Sequence, residues 1–534
     1  MYEIVLLCLS LVLSVSMLVL LAQKLRIAYP LFLVAAGLAV GFIPGIPSTQ
    51  INPDVVFLII LPPVLYDAAR NTSWKGLWRW RRIIIVMALG YVLLTATSVA
   101  LVSYYLIPGF TLAQGFLLGA IVSPPDAAAA TAILRFIKIP KGLVAILEGE
   151  SLLNDATSLT IFRFALLAIT SNSFVWHQAT GNFVLVTISG VAIGLAIGFI
   201  FYSIFRWLPT TTNINITLSI VLPYLIYLTA EALHSSGVLA VVSGGLFVAY
   251  QNHFILSHTS RLKSDAFWSS IVFILNAVVF FLIGLQLPGI LHNLKDGTLM
   301  AAVGAALVIA LVVIIVRVVS NLFSSVFTTF IGRFITVAQR RPGWRNPLIG
   351  SFMGMRGVVS LASALSVPLL LPGGRAFPNR DLILFITFAV IIITLVGQGL
   401  ALPWLVRRIK PEAIGDEKPD DRQAAEMEFR LYSSALEKLH TAYGEDIKGN
   451  RFLKNKSDLY TLKIAMLGTG DKKPEPSMNN DHVRRFKSIM MEVIEHERKE
   501  LHTFRKTDGY DDDIIRAIEN RLDLEEETLE GEVE

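Results

Sequence analysis

Long apolar segments recur along the first 410 residues, separated by short clusters of charged, proline or glycine residues. Dividing the sequence at these clusters yields about thirteen segments, each near the ~20 residues that a helix needs to cross a bilayer. A segment in lipid must satisfy its backbone hydrogen bonds internally, which favours helices. The pattern predicts an all-α membrane protein with about thirteen transmembrane helices. Their centres fall near Val12, Ala36, Ile60, Leu94, Ala120, Leu159, Ala192, Leu222, Val242, Leu275, Ala310, Leu361 and Ile392.

The first apolar segment, from Tyr2 to Ala22, could be mistaken for a secretory signal peptide. It lacks a basic region in front of it, and its length approaches that of a spanning helix. We therefore interpret it as the first transmembrane helix. It contains Cys8, the single cysteine of the chain, so an intramolecular disulfide is excluded.

Composition and charge divide the chain into two parts. Hydrophobic residues make up 54% of the sequence and charged residues 16%, whereas soluble domains carry about 25% charged residues. Residues 1–410 hold 26 Lys and Arg against 11 Asp and Glu, and residues 411–534 hold 20 against 30. We expect a transmembrane domain over 1–410 and a C-terminal tail over 411–534. Helical periodicity in 421–440 and 482–504 predicts a mainly helical tail, with a solvated acidic end over 508–534.

Basic residues concentrate in alternate loops between the predicted helices. Loops that remain in the cytoplasm carry the excess of Lys and Arg, so we expect the N-terminus outside the cell membrane and the tail in the cytoplasm. Binding of anionic lipid by residues 70–82, with three interleaved tryptophans, is an alternative role for one of these loops. The basic loops contain Lys24, Arg26, Arg70, Lys75, Arg79, Arg81, Arg82, Arg135, Lys138, Lys141, Arg206, Arg261, Lys263, Arg333, Arg340, Arg341, Arg345, Arg407, Arg408 and Lys410, and the opposite loops contain Lys295, Arg375 and Arg380.

Several acidic residues lie within or close to the apolar segments. A carboxylate at membrane depth costs several kcal/mol unless it is paired, coordinated or protonated, so it indicates ion or proton handling. The candidate site is therefore drawn largely from six acids: Asp67, Asp126, Glu148, Glu150, Asp155 and Glu231.

The sixth segment carries the most concentrated polar group. Asn154 and Asp155 follow Ser151 by three and four positions, so all three project from one side of a helix. A hydroxyl, an amide oxygen and a carboxylate are oxygen ligands of the kind that hard cations prefer. One anionic oxygen among neutral ones suits a small monovalent cation, and Na⁺ at Asp155 is the metal ion that we expect.

Glu150 points to a different side of the same helix and needs its own partner. Arg356, at the start of the twelfth segment, is the candidate that the sequence offers. Removing one member of a buried ion pair costs about 3–5 kcal/mol. We expect the pair to be structural and not part of the transport site.

Two apolar segments are interrupted. The fifth contains Ser123-Pro124-Pro125-Asp126, and consecutive prolines break a helix; the twelfth contains Gly350, Gly354 and Gly357 around Arg356. Irregular backbone at membrane depth occurs where protein or a water-filled cavity satisfies it, and paired broken helices indicate a transporter site at the midplane. Asp126 could neutralise the positive helix ends at such breaks and Arg356 the negative ones.

The remaining buried charges leave alternatives open. Asp67 is either a residue at the cytoplasmic end of the third helix or a residue near the site. Glu231 and His234, three apart, could share a proton or a metal, although a hydrogen bond at a helix end is the simpler interpretation. Arg163 and Arg317 have no assigned partner beyond internal pairing or snorkelling.

Together these residues resemble the monovalent cation/proton antiporter superfamily, specifically its sodium/proton exchanger branch with an Asn-Asp pair on the sixth helix. The resemblance covers essentially residues 1–410. The Glu-Ser-Leu-Leu-Asn-Asp run with a later Gly-x-Arg-Gly is its most specific part. The motifs are Leu61-Pro62-Pro63 with Asp67, Ser123 with Asp126, Glu148-Gly149-Glu150-Ser151-Leu152-Leu153-Asn154-Asp155, Glu231 with His234-Ser235-Ser236-Gly237, and Gly354-Met355-Arg356-Gly357.

The resemblance implies thirteen helices in two inverted repeats, a homodimer, and a core domain that moves against a dimerisation domain in an elevator-like cycle. It implies that Asp155 is the exchanging carboxylate, aided by Asn154 and Ser151 with Asp67 nearby, and that Glu150 pairs with Arg356. Many relatives have Thr-Asp-Pro at the first break, but this chain has Pro-Asp-Ala there. The threonine hydroxyl is thus absent, and Ser123 is the candidate replacement.

The expected function is exchange of Na⁺ for H⁺ across the cell membrane, one for one and electroneutral, by competition at Asp155. Li⁺ and K⁺ are alternative substrates, and a K⁺/H⁺ antiporter is the nearest alternative function. A passive cation channel, whose pore acids and broken helices could also line, is the alternative from another class. A membrane hydrolase is weaker, since no nucleophile-base motif is apparent.

We therefore expect a transporter and no enzyme, and no cofactor beside the transported Na⁺ and H⁺. The expected partners are a second copy of the chain and membrane lipid, without nucleic acid. A regulatory contact through the tail is suggested by analogy alone.

Overall fold

The structure is a computed structural model of the 534-residue chain. Its description covers residues 2–25, 27–43, 53–134, 139–171, 176–293, 299–334, 339, 342–371, 374–412, 420–467, 480–504, 518 and 521–526. The chain forms two compact units, Met1–Gly415 and Asp416–Glu534.

Within its described residues, the first unit consists of helices joined by turns and short irregular stretches, with one isolated antiparallel bridge between Leu370 and Ala376. This confirms the predicted all-α class. The helices are α1 Tyr2–Lys24, α2 Tyr29–Gly41, α3 Pro53–Asn71, α4 Trp74–Ile85, α5 Val92–Leu106, α6 Leu112–Val122, α7 Ala127–Leu134, α8 Lys141–Ser171, α9 Trp176–Trp207, α10 Thr212–Ala232, α11 Gly237–Ile255, α12 His258–Asn293, α13 Leu299–Ile331, α14 Arg345–Phe352, α15 Val358–Leu365, α16 Arg380–Ile392 and α17 Gly399–Ile409.

Seven helices within the described residues are long and apolar enough to cross a bilayer: Trp74–Leu106, Lys141–Thr170, Phe183–Trp207, Thr212–Ala232, His258–Leu291, Leu299–Phe330 and Arg380–Ile409. Four shorter apolar helices accompany them, at Leu9–Lys24, Tyr29–Gly41, Leu112–Val122 and Gly237–Asn252. The first unit is thus built from multiple membrane-length helices. The total of thirteen spans stays a prediction.

Both predicted helix breaks are present. The first separates α6 from α7 at residues 123–126, and the second separates α14 from α15 at residues 353–357. The helix leading to the first break begins with a capping box, in which Gln114 N donates to Thr111 Oγ1 at 3.2 Å and Thr111 N donates to Gln114 Oε1 at 2.8 Å. These bonds satisfy backbone amides that the helix start would otherwise leave without partners. They fix the residue at which α6 begins.

Two single π-helical turns interrupt the long helices beside the breaks. Val86–Tyr91 joins α4 to α5, and Ile393–Gln398 joins α16 to α17. Such turns shift side chains around the helix axis and are frequent at functional sites. Here they carry Tyr91 and Thr394, which both bond Arg356 at the second break.

The buried apolar residues form two clusters, and α8 contributes to both. We call them the first and second cores. The first core includes residues of α5 to α7 and α13 to α17, and the second includes residues of α3, α9, α10 and α11. The helix that carries the candidate site therefore lies where two packed groups of helices meet.

The described part of the second unit contains three long helices: α18 Asp420–Gly449, with a kink at Tyr443, α19 Arg451–Leu467 and α20 Asn480–Phe504. Residues 521–526 are also helical. Stacked Tyr432 and Tyr460 rings, with centroids 5.7 Å apart, pack α18 against α19. The described tail is helical, as its periodicity predicted. Most of the predicted acidic end, 508–534, lies outside the described residues.

Candidate ion-binding site

The sixth predicted span is α8, and it carries its polar triplet to the first helix break. Asn154 Nδ2 donates to the carbonyl of Pro125 at 3.3 Å, and the amide of Ala127 donates to Ser151 Oγ at 3.4 Å. Asp155 is buried, with 7% of its surface exposed. A continuous helix has no free amide or carbonyl at its centre to offer, so these contacts depend on the prolines that open α6–α7.

The two breaks also contact each other. The amide of Asp126 donates to the carbonyl of Met355 at 2.6 Å, and the amide of Val358 donates to Asp126 Oδ2 at 3.3 Å. A carboxylate at a helix N-terminus is stabilised by the helix dipole. The Asp126 carboxylate thus lies at the start of α15, and its predicted role in neutralising a positive helix end stays a prediction.

Glycine is required where the breaks cross. A Cβ atom placed on Gly357 would overlap the carboxylate of Asp126. The glycines that the sequence marked around the second break therefore include one that admits the charged side chain of the opposite break.

Buried oxygen atoms lie on α8 and at the first helix break. Asn154 Oδ1 is buried without a hydrogen-bond partner, which is costly for a polar atom unless a ligand uses it. Ser123 is fully buried and donates to the carbonyl of Ala120 at 3.1 Å. Its oxygen keeps lone pairs that could face a cation. The carboxylates of Asp126 and Asp155 lie close enough to interact electrostatically.

Ser158 was missed by the sequence reasoning. It is fully buried and donates to the same Ala120 carbonyl at 2.7 Å. Its position four residues after Asn154 is the signal that could have identified it, because such residues share a helix face.

The predicted ion pair between Glu150 and Arg356 is wrong. Arg317 of α13 binds both oxygens of Glu150, with Nη1–Oε1 at 2.7 Å and Nη2–Oε2 at 3.1 Å, and both side chains are fully buried. A Cβ atom on Gly354 would overlap the Arg317 guanidinium, so the glycine makes room for it. The partner of Glu150 is thus Arg317, and not Arg356 as the sequence analysis expected.

Arg356 instead donates hydrogen bonds to backbone carbonyls at both helix breaks. It donates from Nε to the carbonyl of Val122 at 3.0 Å, from Nη1 to the carbonyl of Gly354 at 2.7 Å, and from Nη2 to the Tyr91 hydroxyl at 2.6 Å. Val122 is the last residue of α6, so the cation lies at a negative helix end. Its predicted role in neutralising such ends agrees with these contacts. Arg317 also stacks over the Tyr91 ring, 4.7 Å from its centroid, so Tyr91 contacts both arginines.

The described contacts of Asp67 are with residues at the end of its own helix. Asp67 is on α3, half-buried, and hydrogen-bonds Asn71 one turn later, with Arg70 nearby. Arg70 in turn pairs with Asp265 of α12. Within the described residues, no hydrogen bond or ion pair joins Asp67 to the polar triplet of α8. These contacts favour the helix-end interpretation of the two that the sequence left open.

Glu231 and Glu148, the other two of the six acids, are both half-buried. Glu231 accepts from Arg163 Nη2 at 2.5 Å and from the amide of Gly237 at 3.2 Å. Its predicted neighbour His234 is exposed, in a turn with φ 54°. Glu148 is half-buried on α8. Arg163 was unassigned in the sequence, and the structure gives it Glu231 as a partner.

Two crossed helix breaks around a buried carboxylate, within a bundle of membrane-length helices, define a membrane transporter of the broken-helix type. Residues 10–408 match the family model "Sodium/hydrogen exchanger, transmembrane". The chain belongs to this family, and it is a multi-pass membrane cation/proton antiporter.

Individual relatives are consistent with membership of this family. An uncharacterized Na⁺/H⁺ exchanger of Mycobacterium tuberculosis is 30% identical over 95% of this chain and 93% of the relative. A sodium, potassium, lithium and rubidium/H⁺ antiporter of Bacillus subtilis is 33% identical over 71% of this chain and 58% of the relative. Among solved structures, the sodium proton antiporter MjNhaP1 of Methanocaldococcus jannaschii matches with a TM-score of 0.59 at 18% identity, covering 75% of this chain and 97% of that one. This last likeness supports the fold.

Proposed function

We propose that the protein exchanges Na⁺ for H⁺ across the cell membrane, one ion for one, by competition for the carboxylate of Asp155. The observation that carries this proposal is a buried acid beside an unpartnered amide oxygen at the crossing of two broken helices. A buried carboxylate needs a cation or a proton to neutralise it. Each form is neutral, so either can move through the membrane with the protein.

Two features support one exchanging acid and not two. Asp126, the second acid at the crossing, bonds the amide of Val358 at the start of α15. Its charge is thus balanced by the helix end. Asn154, next to Asp155, carries no charge. Exchange at one carboxylate moves no net charge, and a second would add about 2.3 kcal/mol per 100 mV of membrane potential for each extra charge.

The remaining parts of the proposal concern the whole transporter. The N-terminus would face outward, the tail after residue 410 would be cytoplasmic, and the chain would form a homodimer. Ser151, Asn154 and Ser123 would offer neutral oxygens to the ion, and Asp67 would lie outside this ligand set or at its edge. Alternating access would follow an elevator-like movement of one helix group against the other, which the division into two apolar cores supports.

The choice of ion is open to measurement. The B. subtilis relative is named for sodium, potassium, lithium and rubidium, so K⁺/H⁺ exchange is the alternative function. Dissipation of a pH gradient in sealed proteoliposomes, titrated separately with Na⁺, Li⁺ and K⁺, decides between them. A K⁺ response without a Na⁺ response would replace our proposal with the alternative.

Asp155→Asn should abolish cation-driven proton movement in this assay, since an amide cannot exchange a proton for a cation. Asp381→Asn provides a matched control, because Asp381 lies in the same unit with its side chain 52% exposed. Both variants should purify as folded protein. Exchange at the normal rate in Asp155→Asn would refute the assignment.

A further inference from the structure

An ion pair joins α8 to the corner between α10 and α11. Arg163 Nη2 lies 2.5 Å from Glu231 Oε1, and the same oxygen accepts a hydrogen bond from the amide of Gly237 at 3.2 Å. Gly237 is the first residue of α11, and Glu231 is in the last turn of α10. Glu231 therefore connects Arg163 to both α10 and α11.

Arg163 lies at one end of the contact between α8 and the second core. Leu152, Ala156 and Leu159 of α8 belong to that core, and Arg163 follows Leu159 by four residues on the same helix face. It is eight residues beyond Asp155, about 12 Å along the helix axis. The proposed orientation places this end of α8 on the outer side of the membrane.

The corner that holds Glu231 is itself closely packed. Ser189 of α9 and Ser235 of the turn after α10 lie with their hydroxyl oxygens 2.8 Å apart, and the amide of Ser236 donates to the carbonyl of Val186 at 3.3 Å. A Cβ atom on Gly237 would lie 2.7 Å from the ring of Tyr227. These contacts join α9, α10 and α11 into one body, so movement of α8 against that body must separate Arg163 from Glu231.

The pair differs from the Glu150–Arg317 pair in its exposure. The side chains of Arg163 and Glu231 are 43% and 31% exposed, whereas those of Arg317 and Glu150 are 0% exposed. Water can solvate the separated charges of a partly exposed pair, but a buried pair cannot open without a large desolvation cost. Arg163–Glu231 thus suits a contact that forms and breaks in each cycle.

We propose that Arg163 and Glu231 form an outer latch, which holds α8 against the α10–α11 corner in one state of the transport cycle and opens in the other. This inference rests on the proposed function, because it assumes that α8 moves relative to the second core during exchange. Both residues act through the position of α8, and they contact neither the ion nor the proton.

Reversible cross-linking tests the latch. Arg163→Cys and Glu231→Cys are introduced together with Cys8→Ser, which removes the single native cysteine. A short bifunctional methanethiosulfonate joins the two introduced thiols, and exchange is measured in proteoliposomes before linkage, after linkage and after reduction. Linkage should lower the exchange rate by about tenfold or more, since it prevents a required domain movement, and dithiothreitol should restore the rate.

The matched control is Ser189→Cys with Ser235→Cys in the same background. These positions lie within one packed body, so linking them should leave the exchange rate unchanged. Loss of exchange in the linked control would contradict the rigid corner and with it the latch.

The other outcomes are equally distinct. Full exchange while the thiols at positions 163 and 231 are linked would overturn the latch and leave the Asp155 assignment intact. A rate that stays low after the link is reduced would have the same meaning. If linkage blocks exchange but Asp155→Asn still exchanges normally, the latch stands and the proposed ion site is wrong. A latch also predicts that Arg163→Glu and Glu231→Arg, each slow alone, recover exchange when combined.

Discussion

At the scale of single residues, the proposed site is a carboxylate kept from solvent, with neutral oxygens on neighbouring residues. Asp155 is buried, Asn154 presents an unpartnered Oδ1, and Ser151 accepts a bond from Ala127. A lone carboxylate can be neutralised by a proton or by a small cation. In the exchange that we propose, competition between the proton and the cation for this carboxylate couples the two ion gradients.

Competition at Asp155 predicts how cation affinity changes with pH. As the pH falls through the pKa of the carboxyl, protons occupy the site, so the cation concentration for half-maximal exchange should rise by up to about tenfold per pH unit. At high pH this concentration should level off. The measurement is a set of Na⁺ titrations in proteoliposomes at several symmetrical pH values. A half-maximal concentration that does not vary with pH would contradict a shared site.

Glu150 and Arg317 predict a coupled effect on stability. Glu150→Gln should lower the free energy of unfolding by about 3–5 kcal/mol, since it leaves a buried guanidinium without its counter-charge. Combining it with Arg317→Met should cost no more than the single change. Thermal unfolding of purified protein measures both effects.

Arg356 provides the comparison in this double-mutant cycle. It bonds Val122, Gly354 and Tyr91, so Arg356→Gln should add its own cost to that of Glu150→Gln. Strong coupling of Glu150 to Arg356, with none to Arg317, would contradict the observed pair.

At the scale of elements, two broken helices depend on residues with special backbone properties. Prolines open α6–α7, and glycine at the opposite break admits the Asp126 side chain. The freed amides of Asp126 and Val358 then find partners across the crossing. Each break therefore supplies hydrogen-bond partners for the other.

Gly357→Ala should abolish exchange, because its Cβ atom would overlap the Asp126 carboxylate and force the breaks apart. Gly350→Ala is the matched control from the other half of the same broken helix. Its Cβ atom would make an ordinary contact, 3.5 Å from Leu143 Cδ1, so exchange should remain close to normal. Equal activity in the two variants would show that the close crossing is not required.

At the scale of the whole molecule, multiple membrane-length helices form two apolar cores with the site helix between them. The elevator-like movement that we propose would carry one group of helices against the other. The basic loops on one side of the bundle predict its orientation in the membrane.

Single cysteines in the Cys8→Ser background test that orientation. Ala376→Cys and Pro209→Cys are both at exposed positions between helices. The first should react with an impermeant maleimide in intact cells, since its loop is predicted to be outside. The second, beside Arg206 on the predicted cytoplasmic side, should react only after the membrane is opened. The reverse labelling pattern would invert the topology.

Much of this protein could be inferred before any coordinates. Apolar length predicted the helical class, the proline pair and the glycines predicted both breaks, and spacing on one helix brought Ser151, Asn154 and Asp155 together. These features are local, since they depend on periodicity and on backbone properties of neighbouring residues. The π-helical turns at Tyr91 and Thr394 gave no such signal, because the apolar pattern continues through them.

Contacts between residues on different helices could not be predicted in this way. The sequence showed that Glu150 needed a cation, yet Arg317 and Arg356 were both available and the wrong one was selected. Likewise Arg163 had no visible partner until α8 and α10 were placed side by side. Periodicity tells which side of a helix a residue occupies, but the helix that passes that side is set by packing of the complete bundle. Pairings between residues far apart in the sequence therefore emerged from the folded molecule alone.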